Sequence, residues 1–211
     1  MIYLANPDNP MGTWWRGAEI DAMIKQLPEG VVLCLDEAYG EFAPAGSMPD
    51  LDVHNPQVLR FRTFSKAYGM AGCRIGYLIG EAEIIKAYDK IRNHFGVNRI
   101  AQAGALAALA DNDWLDAVVM RVHSARDRIS RIAHDNGLES LVSATNFVAI
   151  DCGRDGAFAK AVMEGLLAQG VFVRMPGVEP LNRCIRVSAG REDDLDCSEA
   201  ALPVALAKAG R

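Results

Sequence analysis

The chain has 211 residues, 50% of them hydrophobic and 23% charged, with a formal net charge of −5. That is the composition of an ordinary globular protein, not of a low-complexity or disordered chain, and an acidic balance without a Lys/Arg run argues against a nucleic-acid partner. No apolar run reaches the roughly 18 residues a membrane helix needs, no basic stretch leads into a long apolar one at the start, the four histidines show no metal-ligand spacing, and the five cysteines form no Cys-x-x-Cys pair. These features read as a cytoplasmic protein with reduced thiols, no metal and no membrane partner.

In chain order, residues 2–5 are predicted as a strand. Residues 17–27 follow as a helix with Ala18, Met23, Ile24 and Leu27 apolar, and 31–35 as a strand buried on both faces. Residues 40–56 are rich in proline and read as a loop. Strands are predicted at 58–62 and 75–79, helices at 81–93 and 98–110, and a long helix at 113–136, which Gly137 closes. Its arginines read as a solvated face. The remainder alternates a strand at 146–151, a helix at 155–169, strands at 171–174 and 184–188, and a helix at 192–208. Trp14 and Trp15 are expected in a core or interface, and the cysteines as small core hydrophobes. The fold class is α/β. Residues 1–115 form part of a mixed, mainly parallel sheet with helices, and residues 116–211 a small α+β domain.

Three segments follow three consecutive strands. Asn9 lies in the stretch 6–12, Asp36 and Tyr39 in 35–39, and Lys66 just beyond 58–62. Ligands of open α/β sheets bind outside the carboxyl ends of the strands. The connection from Lys66 to the next strand is too short for a helical crossover, so 75–79 is expected to run antiparallel and to bring Arg74 to the same edge. A lysine that can form a Schiff base beside an arginine that can hold a phosphate is what pyridoxal 5'-phosphate requires. In that reading Lys66 binds the aldehyde and moves the proton. Asp36 pairs with the pyridinium nitrogen, Asn9 and Tyr39 bond the ring hydroxyl, and Arg74 with Thr63 and Ser65 holds the phosphate. Arg186 lies in an apolar strand, where a charge needs a partner; a substrate carboxylate gripped in two-point fashion would be one. Arg174 is a second candidate anion reader.

Taken together these residues resemble the class I/II aminotransferases of fold type I, and most of all the histidinol-phosphate aminotransferase branch. The family's Asn-Pro-x-Asn-Pro-Thr-Gly appears at 6–12 with Met11 in place of threonine, its Asp-Glu-Ala-Tyr at 36–39, and its Ser-Lys-x-x-x-x-Ala-Gly-x-Arg-x-Gly-Tyr at 65–77. Asn146-Phe147 and Arg186-Val187-Ser188 match motifs of its C-terminal domain. The resemblance runs from residue 1 to about 205. It implies a pyridoxal phosphate-dependent enzyme that moves an amino group between an amino acid or amino alcohol phosphate, histidinol phosphate-like, and a 2-oxo acid. Lys66, Asp36 and Tyr39 are the implied catalytic residues; Asn9, Arg174 and Arg186 are the implied substrate readers, Arg174 for a substrate phosphate. A homodimer is implied as well. The same scaffold hosts decarboxylases and β-lyases, and a truncated, non-catalytic cofactor-binding fragment is the other alternative. The family carries a segment ahead of the Asn-Pro motif that completes the phosphate cradle and stacks an aromatic on the ring. The chain starts at the motif's own strand, so it is expected to correspond to a C-terminal portion, which puts in question the activity of the 211 residues by themselves.

Overall fold

In the computed structural model, which describes residues 1–210, the short apolar runs of the first half pair into one four-stranded sheet. Its order is β1 (Ile2–Ala5), β2 (Leu33–Asp36), β3 (Val58–Thr63), β4 (Gly76–Ile79). β1, β2 and β3 are parallel, and β4 runs antiparallel to β3, as the short connection requires. The register pairs Ala5 with Asp36, Asp36 with Phe61 and Thr63 with Gly76. Three strand exits and one strand entry therefore share an edge. Gly76 is needed there: a Cβ on it would lie 2.7 Å from the Arg62 carbonyl oxygen.

α1 (Gly17–Ile24) covers one face of this sheet. Its Ile20 is 2% exposed and packs with Leu33 and Leu35, both fully buried, and with Leu4. The helix stops short of the predicted residue 27. Gln26 and Leu27 donate to Met23 and Ile24 in tightened final turns, and Pro28 disfavours a helical Leu27. The 40–56 segment is an ordered loop. It holds a 3₁₀ turn, Gly40–Phe42, with Phe42 buried. Asn6, fully buried, binds it to the exit of β1: its amide donates to the Ser47 carbonyl at 2.8 Å, and its oxygen accepts from the Trp15 N–H at 2.8 Å. Trp15 itself is exposed.

α2 (Ala82–Tyr88) is capped by Glu81 and is shorter than predicted. Asp89, Lys90 and Ile91 donate three residues back, to Lys86, Ala87 and Tyr88, in tightened turns where helix was expected, and the Asn93 side chain then captures the Phe95 N–H in a turn beyond it. α3 (Arg99–Ala110) opens on an Asn98 cap and buries Ala101 and Ala105. α4 (Asn112–Asp135) ends in a Schellman arrangement: Leu138 donates to Ala133, Gly137 donates to His134, and Gly137 has φ +63°.

The chain makes two compact units, one of Met1–Asp8 and Trp14–Val119, the other of Asn9–Thr13 with the residues from Met120 onward. In the second, β5 (Glu139–Ser140), β6 (Phe147–Asp151) and β7 (Cys184–Ser188) form an antiparallel sheet in that order. α5 (Gly156–Leu167), α6 (Glu192–Ala209) and the end of α4 share a core with one face of it, in which Val148, Ile150, Ile185 and Val187 meet Ile129, Val162 and Leu195. The strand predicted at 171–174 reduces to one bridge between Arg174 and Arg186, and Pro176 has no N–H to extend it toward Cys184. The α4 arginines are not a uniform solvated face. Arg128 pairs with Glu192, Asp196 and Glu199 of α6, and Arg126 donates to the Thr145 carbonyl. No helix is long and apolar enough to cross a membrane, and no cluster of His, Cys, Asp and Glu among the described residues could hold a metal.

Leu35→Ala should cost about 2–5 kcal/mol, because the side chain is fully buried between α1 and the sheet; denaturant unfolding of the wild type and variant measures it. The thiols should also divide. Cys34, Cys152 and Cys184 are buried, Cys73 is partly exposed and Cys197 exposed. Burial pushes the Cys152 thiol up to about 12, which keeps it in the unreactive protonated form near neutral pH. Timed labelling with a thiol reagent followed by mass mapping should modify Cys197 and Cys73 first, and Cys152 only on unfolding.

Candidate active site

β2 delivers Asp36 to the shared sheet edge. One carboxylate oxygen accepts the Ala38 N–H at 2.9 Å, which closes a turn. The other accepts the hydroxyl of Tyr3. Tyr3 reaches it because Ala5 pairs with Asp36 in register and residues two apart along a strand share a face. The bond to Asp36, then burial and the Asp36 charge, push the Tyr3 phenol up to about 12. Sequence reasoning missed Tyr3; its distance of two from the residue beside Asp36 is a signal only once the β1–β2 register is known.

Glu37 is fully buried. Its Oε1 accepts from Arg60 Nε at 2.9 Å and Nη2 at 2.5 Å, and its Oε2 from Arg62 Nε at 2.8 Å. Arg62 also donates to Glu41 at 3.1 Å. Burial pushes the Glu41 carboxyl above the usual carboxylate range, and the Arg62 charge opposes that only in part. Sequence reasoning gave no role to any of these four groups.

Tyr39 is buried in the turn after Glu37. Lys66 Nζ lies 5.2 Å from the centroid of its ring, and the ion pairs of this unit form between carboxylates and Arg60, Arg62, Lys86 and Arg92 rather than Lys66. The loop that presents Lys66 is closed on itself. Thr63 Oγ1 accepts the Ser65 N–H at 3.1 Å, Phe64 donates to Ile75, Met70 donates to Phe64 and Gly69 donates to Lys66. Phe64 is buried with its ring 5.0 Å from Tyr68 and 5.6 Å from Tyr77, and Ala67 is buried as well. Arg74 follows a 3₁₀ turn in the left-handed region, φ 51° and ψ 49°. It is the one non-glycine residue with positive φ among the described residues. Such strain persists where the surroundings impose it, and it gathers at functional sites. Its guanidinium is exposed and donates to the Ala71 carbonyl at 2.8 Å.

The second unit gathers the remaining residues. In β6 and β7, Val148, Ile150, Ile185 and Val187 share the core with the helices, so Phe147, Ala149 and Arg186 face the other way. The Arg186 guanidinium lies 4.5 Å from the Phe147 ring centroid and donates to the Asn9 side-chain oxygen. Arg174 pairs directly with Arg186 through two backbone bonds of 3.1 and 2.7 Å, which places both arginines on one face. Met11, where the family has threonine, is buried against Ala149 and Cys184. Asp36, Tyr39, Thr63, Ser65, Lys66 and Arg74 thus lie in the first unit, and Asn9, Arg174 and Arg186 in the second.

The chain is 38% identical over 205 residues to histidinol-phosphate aminotransferase 2 of Methylococcus capsulatus, covering 96% of this chain and 54% of that one. It is 37% identical to histidinol-phosphate aminotransferase 1 of Cupriavidus pinatubonensis, covering 98% and 56%. The crystal structure of the histidinol-phosphate aminotransferase of Sinorhizobium meliloti in complex with pyridoxal-5'-phosphate superposes with a TM-score of 0.95 at 52% identity, over 97% of this chain and 56% of that one. The chain therefore spans just over half the length of these relatives. The family model for aminotransferase class I and II matches residues 1–201, and the chain belongs to that family.

Proposed function

We infer that the protein is a pyridoxal 5'-phosphate-dependent aminotransferase that exchanges an amino group between a histidinol phosphate-like amino alcohol phosphate, or an amino acid, and a 2-oxo acid. One observation carries this reading. The register brings the exits of β2 and β3 and the entry of β4 to one edge, so Asp36, the Lys66 loop and Arg74 all arise there. The groups present fit the cofactor. A carboxylate held by two donors suits a ring nitrogen, an amine kept out of the unit's ion pairs suits an aldehyde, and an exposed arginine in a strained loop end suits a phosphate. We assign residues 1–115 to a cofactor-binding domain and 116–211 to a small C-terminal domain, in a homodimeric, cytoplasmic enzyme.

When bound, the cofactor supplies an aldehyde to carry the amino group and a ring that spreads negative charge. The chain's residues do the rest. Lys66 Nζ holds the aldehyde in the resting state and, once displaced, takes the proton from the substrate α-carbon as a general base. Asp36 holds a proton at the ring nitrogen. The Tyr39 hydroxyl and the Asn9 amide donate to the ring hydroxyl, and Asn9 also touches the substrate. Arg74 with the Thr63 and Ser65 hydroxyls binds the phosphate through charge-assisted bonds. Arg186 reads the acceptor's carboxylate and Arg174 the donor's phosphate. The two arginines stand at directly paired positions and make one positive face, which suits the anionic group of either proposed ligand.

Incubation with pyridoxal 5'-phosphate, borohydride reduction and intact mass should give one adduct per chain in the wild-type protein and none in Lys66→Ala. An adduct of the same stoichiometry in the variant sinks the Lys66 assignment. In steady-state kinetics of the full protein, Arg174→Ala should lower kcat/KM for histidinol phosphate, and Arg186→Ala kcat/KM for 2-oxoglutarate. Each loss should be about 10- to 100-fold, the worth of a hydrogen bond to a charged group. Equal losses on both substrates in both variants would contradict the division of roles.

A further inference from the structure

We propose that Glu37 is a positioning residue for the cofactor site. Its carboxylate, gripped by Arg60 and Arg62, fixes the strand end that presents Asp36 against the strand whose exit presents Lys66. The proposal rests on the reading that Asp36 and Lys66 hold pyridoxal 5'-phosphate, and it concerns a group to which that chemistry assigns no step.

Glu37 follows Asp36 directly and precedes Tyr39 by two residues. Four bonds tie it to β3. Its N–H donates to the Phe61 carbonyl at 2.9 Å, Oε1 accepts from Arg60 and Oε2 accepts from Arg62. Arg62 is the residue before Thr63 and lies four before Lys66. Its Nη1 continues to Glu41, so one guanidinium holds carboxylates on both sides of Tyr39. Arg60 is tied in turn to the Pro49 carbonyl at 3.2 Å. The turn that carries Asp36 and Tyr39 is thereby joined to β3 at residues 60, 61 and 62, immediately before Thr63, Ser65 and Lys66.

Energetics argue against stability as the purpose. Two carboxylates and two guanidiniums balance in charge, but buried ion pairs regain little more than their desolvation costs, and apolar packing of equal volume often does as well. One oxygen of Glu41 is even buried without a hydrogen-bond partner. Such a network supplies geometry. Side chains that act on one ligand must be held to within about 0.5 Å, and locked outer contacts achieve that. Alternation along the strand turns Glu37 away from Asp36, so it influences the site through the backbone it fixes and not by contact.

The test uses the full protein as wild type, Glu37→Gln and Arg62→Lys. Three quantities are measured: the melting temperature, the dissociation constant for pyridoxal 5'-phosphate, and the pH at which the visible band of the bound cofactor titrates. A positioning role predicts binding weakened by about tenfold or more in Glu37→Gln. It also predicts a shift of about half a pH unit or more in the band titration, well below the variant's melting temperature. Arg62→Lys keeps the charge and loses the two-point grip, and should fall between. A variant that melts earlier but, while folded, binds within about twofold and titrates unchanged overturns the proposal. If Glu37→Gln does not fold, Arg62→Lys decides by the same two readouts. A wild type that takes no reduced adduct overturns the cofactor reading and this proposal with it, whereas normal wild-type binding with unchanged variants overturns the Glu37 role alone.

Discussion

The first unit depends on one constraint: strands that run parallel in matched register end together. Because Ala5, Asp36 and Phe61 align across β1, β2 and β3, three loops of different sequence open at one edge, and the antiparallel β4 returns Arg74 to it. The same register decides the fate of two adjacent carboxylates. Asp36 shares the sheet face of Tyr3, and Glu37, one residue on, is buried between Arg60 and Arg62. A slip of one residue would exchange their faces, leaving an aspartate facing two arginines and a glutamate on the face of Tyr3.

The two units treat buried and half-buried charge in opposite ways. Around Glu37 each guanidinium meets a carboxylate within about hydrogen-bond distance, and the set is electrically closed. Such a set can fix geometry but has nothing left with which to attract a ligand. On the β6–β7 sheet two arginines occupy directly paired positions, one of them over an aromatic ring and bonded to an asparagine carbonyl. There like charges lie side by side, and an anion is the group that would join them. The difference between a charge-balanced cluster and a like-charged one needs coordinates, because all six residues are equally charged in the sequence.

Much of the fold was legible because its signals are local. Apolar runs of four to six residues bounded by glycine, proline and aspartate gave β1 to β4, and a connection too short for a crossover gave the direction of β4. Local competition explains misses at helix ends: the final turns of α1 and α2 tighten to bonds three residues back, and Pro28 disfavours a further helical residue after α1. The residues proposed for the cofactor carry their signal in motif spacing. Tyr3 does not, since its link to Asp36 exists only through inter-strand register. Glu37 does not, since nothing local separates a buried acid from a solvated one. Asn9 was grouped with Lys66 because both follow strands, and its bond to Arg186 depends on residues 9–13 joining a unit that begins more than a hundred positions later.

That pattern explains why reaction type is easier to read than the donor. Pyridoxal phosphate imposes several demands at once, for an amine, a carboxylate and a phosphate grip, and those residue types must recur at fixed places along consecutive strands. A donor imposes only an anion and a shape. A guanidinium fork accepts a phosphate or a carboxylate with nearly the same geometry, so the residue type at 174 and 186 does not by itself say which anion each would read. Selectivity between a phosphate monoester and a carboxylate must then come from charge number. A phosphate dianion gains more than a carboxylate monoanion from each guanidinium it meets, so charge number rather than fork geometry is what would separate a phosphorylated donor from a simple amino acid.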